Sequence, residues 1–376
     1  MAKRAAMRGA LWLALLLMGC SAMPPGPPPQ KLRFGAIFSQ TGRYAFVGKP
    51  GAEVVKVLGL PGVEFVIHDS EGQTSKAEDS LRRLAADPSL LGVIGPCTTD
   101  ETLAVIRQAN DYKLPCLSIS AADRSHPTSP WVFRLPITTY HMVYQIGDYL
   151  ARHDLKRIAL ISVESGFGKA GRRELLTQAP DFGLTLISDQ VSPDRQLKPE
   201  ETDQLVRASL QSRPQALVIW WSAAGAVELT LAARRQGISI PLLHSGGIAG
   251  PEFLQAGGEA ANGVLFPGSP LLVPQSLAEN HAQKPAIEQF SRFCDQHALP
   301  LSNFGGYGWD AANLLVEAAR AAGPNRAKIR AYLENLQGWP AVSGVYHFSP
   351  VDHNGLTHES FLMIQIEQGR WRPAPE

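Results

Sequence analysis

Short apolar runs alternate with amphipathic, helix-length stretches along the chain from Lys31 onward. The apolar runs predict strands over residues 34–38, 63–67, 91–94, 115–119, 157–163, 184–187, 216–221 and 241–243. The stretches between them predict helices over residues 75–86, 102–112, 140–152, 171–178 and 223–235, the first with Ser75 and Glu78 at capping-box spacing. This alternation predicts an α/β fold with parallel sheets and helices on both faces. Ligands bind such sheets beyond the carboxyl ends of the strands, so the loops that follow the strands should carry the function.

The length of the chain predicts two lobes, because 376 residues exceed what one ordinary hydrophobic core supports. The formal charge of +1 gives no field for steering toward nucleic acid, and we expect no nucleic-acid partner. The four cysteines are scattered, which excludes a disulfide scaffold and a CxxC metal site.

The N-terminus has the organisation of an export signal. Lys3, Arg4 and Arg8 precede an apolar run over residues 11–18, which is far shorter than the roughly 20 residues that cross a membrane. The segment that ends in Gly19-Cys20 resembles the lipobox of bacterial lipoproteins. It implies a lipoprotein signal peptide over residues 1–19 and lipidation of Cys20. The alternative is an ordinary signal peptide that is cut elsewhere, with Cys20 discarded.

Residues 20–30 are predicted to form a tether. Residues 21–30 contain five prolines, a composition that favours an extended, semi-rigid spacer, although an SH3-type ligand is the rival interpretation. Removal of residues 1–19 takes away three basic and no acidic side chains, which leaves 32 basic and 34 acidic residues. The exported chain is therefore slightly acidic and is expected to be anchored at the membrane through its lipid.

Seven motifs follow one another in a fixed order. They are FGAIFSQTGRYAFVG at 34–48, IGPCTTDETLA at 94–104, LPCLSISAA at 114–122, WVFRLP at 131–136, GFGKAG at 166–171, GIAGPEFLQAGGEAANGVLFP at 247–267 and GYGWDAANLLVEAARAAG at 306–323. The set resembles the type I periplasmic solute-binding proteins of the leucine/isoleucine/valine-binding kind, which serve ABC importers. The resemblance extends from about residue 31 to 373.

The resemblance implies two Rossmann-like lobes with parallel sheets and a three-crossover hinge, the type I periplasmic binding protein fold. The crossovers are expected near residues 134–136, 267–270 and 348. Lobe 1 would then hold residues 31–135 plus 268–347, and lobe 2 would hold 136–267 plus 348–376, with a C-terminal strand at about 359–367. Hinge closure would enclose a small-molecule ligand for delivery to ABC permease subunits. The protein is expected to be a monomer without cofactor or enzymatic activity.

The loop after the third predicted strand is the first candidate for ligand contact. Thr98 or Thr99 is a sound N-cap for a helix that begins at about Asp100 or Glu101, and backbone N–H groups there can receive a carboxylate. The resemblance implies that Thr99 supplies the hydroxyl for the ligand carboxylate. Alternatively, the threonines only cap the helix, whose dipole Asp100 and Glu101 already satisfy.

Two further loops depart from the amino-acid-binding pattern. Ser120, Ala121 and Ala122 follow the next strand. The resemblance implies that a carbonyl here receives an ammonium, but Ala122 stands where a second hydroxyl is expected. Gly246 stands where amino-acid-binding members place an acidic partner for that ammonium. A buried ammonium without such a partner is costly, so we doubt a free α-amino acid and expect a small carboxylate, amide or other polar metabolite.

Aromatic side chains can supply the apolar wall of a cleft. The resemblance places Phe167 over the ligand, and Tyr44 and Phe304 are further candidates, although each can equally be a core residue. Trp220 and Trp221 alternate in direction, so one of them should be core, and Ser222 is the better polar contact. Further candidates for this aromatic wall are Phe46, Trp220 and Trp221.

The segment after Gly51 is shorter than the family pattern, which predicts a short first helix over residues 52–58.

Enzymatic interpretations are weaker. GFGKAG satisfies GxGxxG, and Asp189 is expected at the end of the following strand, where a ribose-binding acid would stand. Two polar residues separate the preceding strand from Gly166, however, so we reject a dinucleotide site. Cys97 and Cys116 are predicted to lie at different heights on neighbouring parallel strands, too far apart to form a disulfide. The remaining classes are a transport receptor and a lipoprotein of the same fold that regulates cell-envelope enzymes or senses a ligand.

Overall fold

The computed structural model describes residues 31–121 and 129–375. The strands, in chain order, are β1 (Leu32–Phe38), β2 (Val63–Asp69), β3 (Leu90–Ile94), β4 (Cys116–Ser118), β5 (Val132–Arg134), β6 (Arg157–Val163), β7 (Thr185–Ser192), β8 (Ala216–Trp220), β9 (Leu242–His244), β10 (Leu265–Gly268), β11 (Trp339–Pro340), β12 (Val345–Tyr346), β13 (Leu362–Glu367) and β14 (Arg370–Pro373).

The helices, in chain order, are α1 (Ala45–Val57), α2 (Thr74–Ala85), α3 (Thr99–Asp111), α4 (Thr139–Arg152), α5 (Gly166–Gln178), α6 (Pro199–Leu210), α7 (Ala223–Arg235), α8 (Pro251–Gly257), α9 (Lys284–His297), α10 (Asn303–Ala322) and α11 (Arg326–Glu334). Among the described residues, none of these helices is long and apolar enough to cross a membrane.

The first sheet has five strands in the order β2-β1-β3-β4-β5, and all of its pairings are parallel. Strands β1 and β3 are buried along most of their length, because helices cover both faces of the sheet. Helix α10 packs against α1 and β3, and nearly all of its side chains are buried. This sheet with its helices is called the first lobe below.

The second sheet has seven strands in the order β14-β13-β10-β9-β8-β6-β7. The five strands from β10 to β7 are parallel, whereas β13 and β14 add to one edge in antiparallel fashion. Helices α4 to α8 pack around this sheet, which with them is called the second lobe. Two mainly parallel sheets with covering helices confirm the α/β fold class predicted from the alternating pattern.

The strands that the apolar runs predict are all present, with ends that differ by a few residues. The largest difference is β7, which continues to Ser192, so Asp189 lies within the strand and not at its end. The Asp189 carboxylate accepts a hydrogen bond of 2.7 Å from the Arg172 side chain. This pairing explains the acidic residue without a ribose ligand. The sequence pattern does not predict the short strands β10 and β14. Pro267 interrupts the apolar residues of β10, and charged residues interrupt those of β14.

The prediction for the first helix is wrong. Helix α1 extends over Ala45–Val57 and includes Pro50, which removes one backbone donor. Close packing holds the helix in spite of the proline. A Cβ on Gly48 would lie 2.5 Å from the backbone nitrogen of Ser39, and one on Gly308 of α10 would lie 2.7 Å from the Cα of Gly51. These approaches seat α1 directly on the end of β1 and on α10.

The predicted capping box at Ser75 and Glu78 is also wrong. Helix α2 begins at Thr74, and its N-cap residue is Gln73, which makes no side-chain cap. The chain passes from the first sheet to the second lobe after β5, and there the Leu135 carbonyl accepts a hydrogen bond of 2.9 Å from the Tyr346 hydroxyl. The residue ranges proposed for the two lobes stay a prediction.

Candidate functional site

A cavity of about 80 Å³ lies between the two lobes, at the carboxyl ends of the parallel strands of both sheets. On the order of 10–15 Å³ is enough to hold one water, so the cavity has room for a small molecule. Its lining residues are Tyr44, Val47, Cys97, Thr98, Thr99, Asp100, Ile119, Ser120, Ala121, Pro136, Met142, Val163, Ser165, Phe167, Asp194, Trp221, Ser222, Gly246, Gly247, Phe304 and Tyr307.

The first lobe contributes the start of α3. Thr98 is the N-cap residue: its hydroxyl accepts from the Glu101 N–H at 3.2 Å, and the Glu101 carboxylate accepts from the Thr98 N–H at 3.1 Å. This reciprocal capping box starts α3 one or two residues earlier than predicted. The hydroxyl and the N–H of Thr98 are thus used in capping the helix. Thr99, the first residue of α3, is 96% buried and lines the cavity.

The loop after β4 presents a buried hydroxyl cluster. The Ser120 hydroxyl lies 2.8 Å from that of Thr102 and 3.0 Å from that of Ser118, so its hydrogen-bonding capacity is largely used. The carbonyl of Ala121 accepts from the Thr139 hydroxyl at 2.9 Å, which fixes the loop to the start of α4. The loop therefore offers the cavity a shaped wall more than a free side-chain hydroxyl.

The start of α5 forms one wall from the second lobe. Ser165 caps the helix by accepting from the Gly168 N–H at 3.2 Å. The Phe167 ring lies 5.6 Å from that of Trp220, which is fully buried. A Cβ on Gly171 would lie 2.0 Å from the same indole. Close packing on Trp220 accounts for that glycine of GxGxxG, and Trp220 is the core member of the tryptophan pair.

Trp221, Ser222 and Gly246 complete the second-lobe wall. Trp221 is 96% buried and lines the cavity. Ser222 is the N-cap residue of α7, but its side chain makes no cap. A Cβ on Gly246 would lie 3.0 Å from the Pro267 carbonyl oxygen and 3.4 Å from the Met142 methyl carbon. No acidic side chain therefore stands at the end of β9.

The start of α10 forms the floor of the cavity in the first lobe. Phe304 and Tyr307 are both more than nine-tenths buried, and burial together with the nearby Asp310 carboxylate raises the pKa of Tyr307. Phe304 lies in the first turn of α10. Burial raises the pKa of Asp310 to about 7, although Val342 and Ser343 donate their backbone N–H groups to it.

Three contacts join the lobes across the cavity rim. The Tyr44 hydroxyl donates to Asp194 at 2.6 Å, and Arg43 forms an ion pair with the same carboxylate at 2.6 Å. Burial, together with the Asp194 carboxylate, raises the pKa of Tyr44. The Gly166 N–H donates to Asp100 at 3.0 Å. Both rim carboxylates are thus partnered by the opposite lobe.

The structure brings together nine of the predicted binding residues around this cavity. They are Tyr44, Thr98, Thr99, Ser120, Ala121, Phe167, Ser222, Gly246 and Phe304. Ala122 and Cys20 lie outside the described residues. Sequence reasoning named neither Asp194 nor Tyr307 as a binding residue. Asp194 follows β7 at a strand end, which was an available signal, whereas Tyr307 lies within a helical pattern that reads as core.

The three cysteines within the described residues are free thiols, as predicted for Cys97 and Cys116; the third is Cys294. Val93, and not Cys97, is the register partner of Cys116. Burial, with a smaller contribution from Glu101, raises the pKa of the Cys97 thiol well above its usual range. No group of three or more His, Cys, Asp or Glu side chains in the described residues is placed to hold a metal ion.

A sequence-family model described as periplasmic binding protein matches residues 31–370. The chain belongs to this family. The match covers the cavity and both sheets, so the family predicted from the seven motifs is confirmed. No curated protein matches the chain.

Solved structures share the fold of this periplasmic binding protein. An extracellular ligand-binding receptor from Rhodopseudomonas palustris HaA2 is 23% identical over 92% of this chain and 99% of its own, with a TM-score of 0.83. The branched-chain amino acid transporter substrate binding protein LivJ from Streptococcus pneumoniae, in complex with isoleucine, is 20% identical over 91% and 97%, with a TM-score of 0.77. The leucine binding protein LivK from Thermotoga maritima is 17% identical over 92% and 98%, with a TM-score of 0.75. At these identities the likeness establishes the type I fold.

Proposed function

We propose that this protein is an extracytoplasmic receptor that captures a small polar metabolite in the cavity between its lobes and delivers it to an ABC permease. The observation that carries the proposal is that residues of both lobes line one cavity. Side chains from both sheets surround one small cavity, and contacts such as Tyr44 to Asp194 hold the two lobes together over it. A cleft that closes on its contents is what capture and release require.

The size and lining of the cavity support a small ligand. A volume of about 80 Å³ suits a compact metabolite. The walls combine aromatic rings with hydroxyl groups, the usual mixture of apolar area and few orienting polar groups at ligand sites. The competing role, regulation of cell-envelope enzymes through protein contacts, does not need such a cavity.

A thermal-shift screen of acids, amides and amino acids tests capture, because a ligand that binds only the folded state raises the unfolding temperature. Ser222→Trp fills the cavity at a side chain that makes no described hydrogen bond, and Ser222→Ala is its matched control. We expect at least one compound to stabilise the parent chain and Ser222→Ala but not Ser222→Trp. Equal shifts in all three proteins would contradict binding in the cavity.

The anchor is a separate part of the proposal. Cys20 after the signal peptide would carry the lipid, and residues 20–30 would form the spacer between the membrane and the lobes. Fractionation of cells that produce the parent chain or Cys20→Ser tests this arrangement. We expect the parent chain in the membrane fraction and Cys20→Ser in the soluble extracytoplasmic fraction. A parent chain that is soluble would show that the signal is of the ordinary, non-lipidated kind.

A further inference from the structure

Asn303, the first residue of α10, joins the two lobes at a buried point. Its backbone N–H donates to the Ala249 carbonyl at 3.2 Å, and its side-chain oxygen accepts from the Ser269 hydroxyl at 2.8 Å. Helix α10 belongs to the first lobe, whereas Ala249 lies between β9 and α8 of the second lobe, and Ser269 directly follows β10 of the second sheet. One residue of the first lobe therefore forms two hydrogen bonds to the second lobe.

The start of α10 is built so that Asn303 can bond outward. The first N–H groups of a helix have no partner within the helix. The Ser302 hydroxyl accepts from the Gly305 N–H at 3.0 Å, and the Ser302 carbonyl accepts from the Gly306 N–H at 3.0 Å. This cap does not use the Asn303 N–H, which finds its acceptor on the second lobe instead.

The two hydrogen bonds of Asn303 lie in a different environment from the contacts at the cavity rim. Asn303, Ser269 and Ala249 are all at least 97% buried. The rim hydrogen bonds of Tyr44 and Gly166 are only part-buried or exposed. A hydrogen bond is electrostatically stronger where water is excluded, and a buried polar group that loses its partner is costly. Breaking the Asn303 contacts therefore costs more than breaking a contact that water replaces at once.

The same junction is continuous with the walls of the cavity. Phe304, the next residue of α10, lines the cavity, and so does Gly247 of the second-lobe loop that leads to Ala249. A Cβ on Gly250 would lie 3.4 Å from the Phe304 ring, so this loop packs closely on the start of the helix. A molecule in the cavity therefore meets the same two elements that Asn303 joins.

We propose that Asn303 is a positioning residue for lobe closure, which holds the second lobe against α10 through Ser269 and Ala249. The proposal rests on the receptor function proposed above, because capture and release require the lobes to close and to separate. Opening breaks the hydrogen bond between Ser269 and Asn303, and closure restores it. Asn303 thereby sets how often the cavity opens.

Labelling of Cys97 with N-ethylmaleimide measures this opening without knowledge of the ligand. Cys97 is 2% exposed and lines the cavity, whereas Cys294 is equally buried in α9 and reports unfolding. A thiol reagent reaches a buried cysteine only when the structure around it opens. The labelling rate of each cysteine, measured by mass spectrometry of peptides from the full-length protein, therefore follows the population of its open state.

Asn303→Ala and Ser269→Ala each remove the side-chain hydrogen bond, and Asn303→Asp keeps the acceptor oxygen. We expect each alanine variant to label Cys97 roughly threefold to tenfold faster relative to Cys294 than the parent chain does. The variant with both alanines should be no faster than either single variant, because the two substitutions remove the same interaction. Asn303→Asp should label like the parent chain. Tyr44→Phe, at the rim, supplies an independent measure of opening.

Equal acceleration at Cys97 and Cys294 would show that the alanines only destabilise the fold, and would overturn the role assigned to Asn303. Acceleration by Tyr44→Phe but not by the alanine variants would also overturn it and would leave the receptor function intact. If no variant changes the labelling of Cys97 relative to Cys294, the lobes do not open over the cavity, and the proposed receptor function fails together with the inference.

Discussion

The hydroxyl of Tyr44 donates a hydrogen bond of 2.6 Å to the Asp194 carboxylate, and these two residues belong to different lobes. Tyr44 is the residue that precedes α1, and Asp194 lies in the loop after β7. Both line the cavity, so under the proposed closure the contact would form when the lobes come together over it. The ligand and this hydrogen bond should therefore stabilise the same closed state.

Tyr44→Phe removes this hydrogen bond and keeps the ring. A hydrogen bond of this kind contributes about 0.5–1.5 kcal/mol net, so we expect the dissociation constant to rise roughly threefold to tenfold. Calorimetry with the ligand recovered from the protein measures the change. Tyr112→Phe, on an exposed residue at the far end of α3, is the control. Equal affinity in both variants would contradict a role for the hydroxyl in closure.

The Gly166 N–H and the Asp100 carboxylate form the second contact across the cavity rim. A Cβ at residue 166 would lie 2.5 Å from an oxygen of Asp100, so Gly166→Ala displaces the carboxylate and breaks the hydrogen bond. We expect a loss of affinity of roughly threefold to tenfold. In an Asp100→Ala background the same substitution should cost nothing further. Additive losses in the double variant would show that the alanine acts elsewhere.

Two buried groups should give the stability of the fold opposite pH dependences. Burial, with the nearby Arg234, lowers the pKa of His244 to about 3, and burial raises the pKa of Asp310 to about 7. Between about pH 4 and pH 6.5 the unfolded chain binds one more proton at His244 and one fewer at Asp310. Stability therefore rises with pH through His244, falls with pH through Asp310, and the two slopes offset each other.

Substitutions at the two residues separate the contributions of His244 and Asp310 to the slope of stability against pH. In urea unfolding at several pH values from about 4.5 to 6.5, Asp310→Asn should raise the slope of stability against pH by about 1.4 kcal/mol per pH unit relative to the parent chain. His244→Gln should lower it by the same amount. Comparison of slopes removes any constant loss of stability that the substitutions cause. Parallel curves for the parent chain and both variants would contradict these assignments.

The three thiols of the lobes should react slowly in the folded protein. Cys97, Cys116 and Cys294 are almost completely buried, and burial raises the pKa of each. Only the thiolate reacts readily, so labelling by a thiol reagent should require unfolding or opening. Cys97 lines the cavity, and bound ligand should slow its labelling more than that of Cys294. Labelling at Cys97 that ligand does not change would place the ligand elsewhere.

Much of the fold could be predicted because apolar runs and turns are local signals. The strands from β1 to β9 stand where runs of apolar residues predicted them, apart from the short β5. The α1 helix could not be predicted, since packing of Gly48 and Gly51 against β1 and α10 outweighs the effect of Pro50. Such packing joins residues that are far apart in the chain.

The candidate site also combines residues that a local sequence signal predicts with contacts that no local signal predicts. Nine residues that line the cavity could be predicted because motif loops follow strands, and the carboxyl ends of parallel strands meet at one edge. The pairing of Tyr44 with Asp194 spans 150 residues and has no local signal. The choice of cap could not be predicted either, because only the structure shows that Thr98, and not Thr99, caps α3.

Native mass spectrometry of the protein purified from the periplasm or membrane tests the central claim most directly. The account predicts one small molecule on each chain, which is released on unfolding and is absent from Ser222→Trp. A chain that carries no ligand and gains no mass with any compound of the screen, while Ser222→Trp behaves identically, would contradict it.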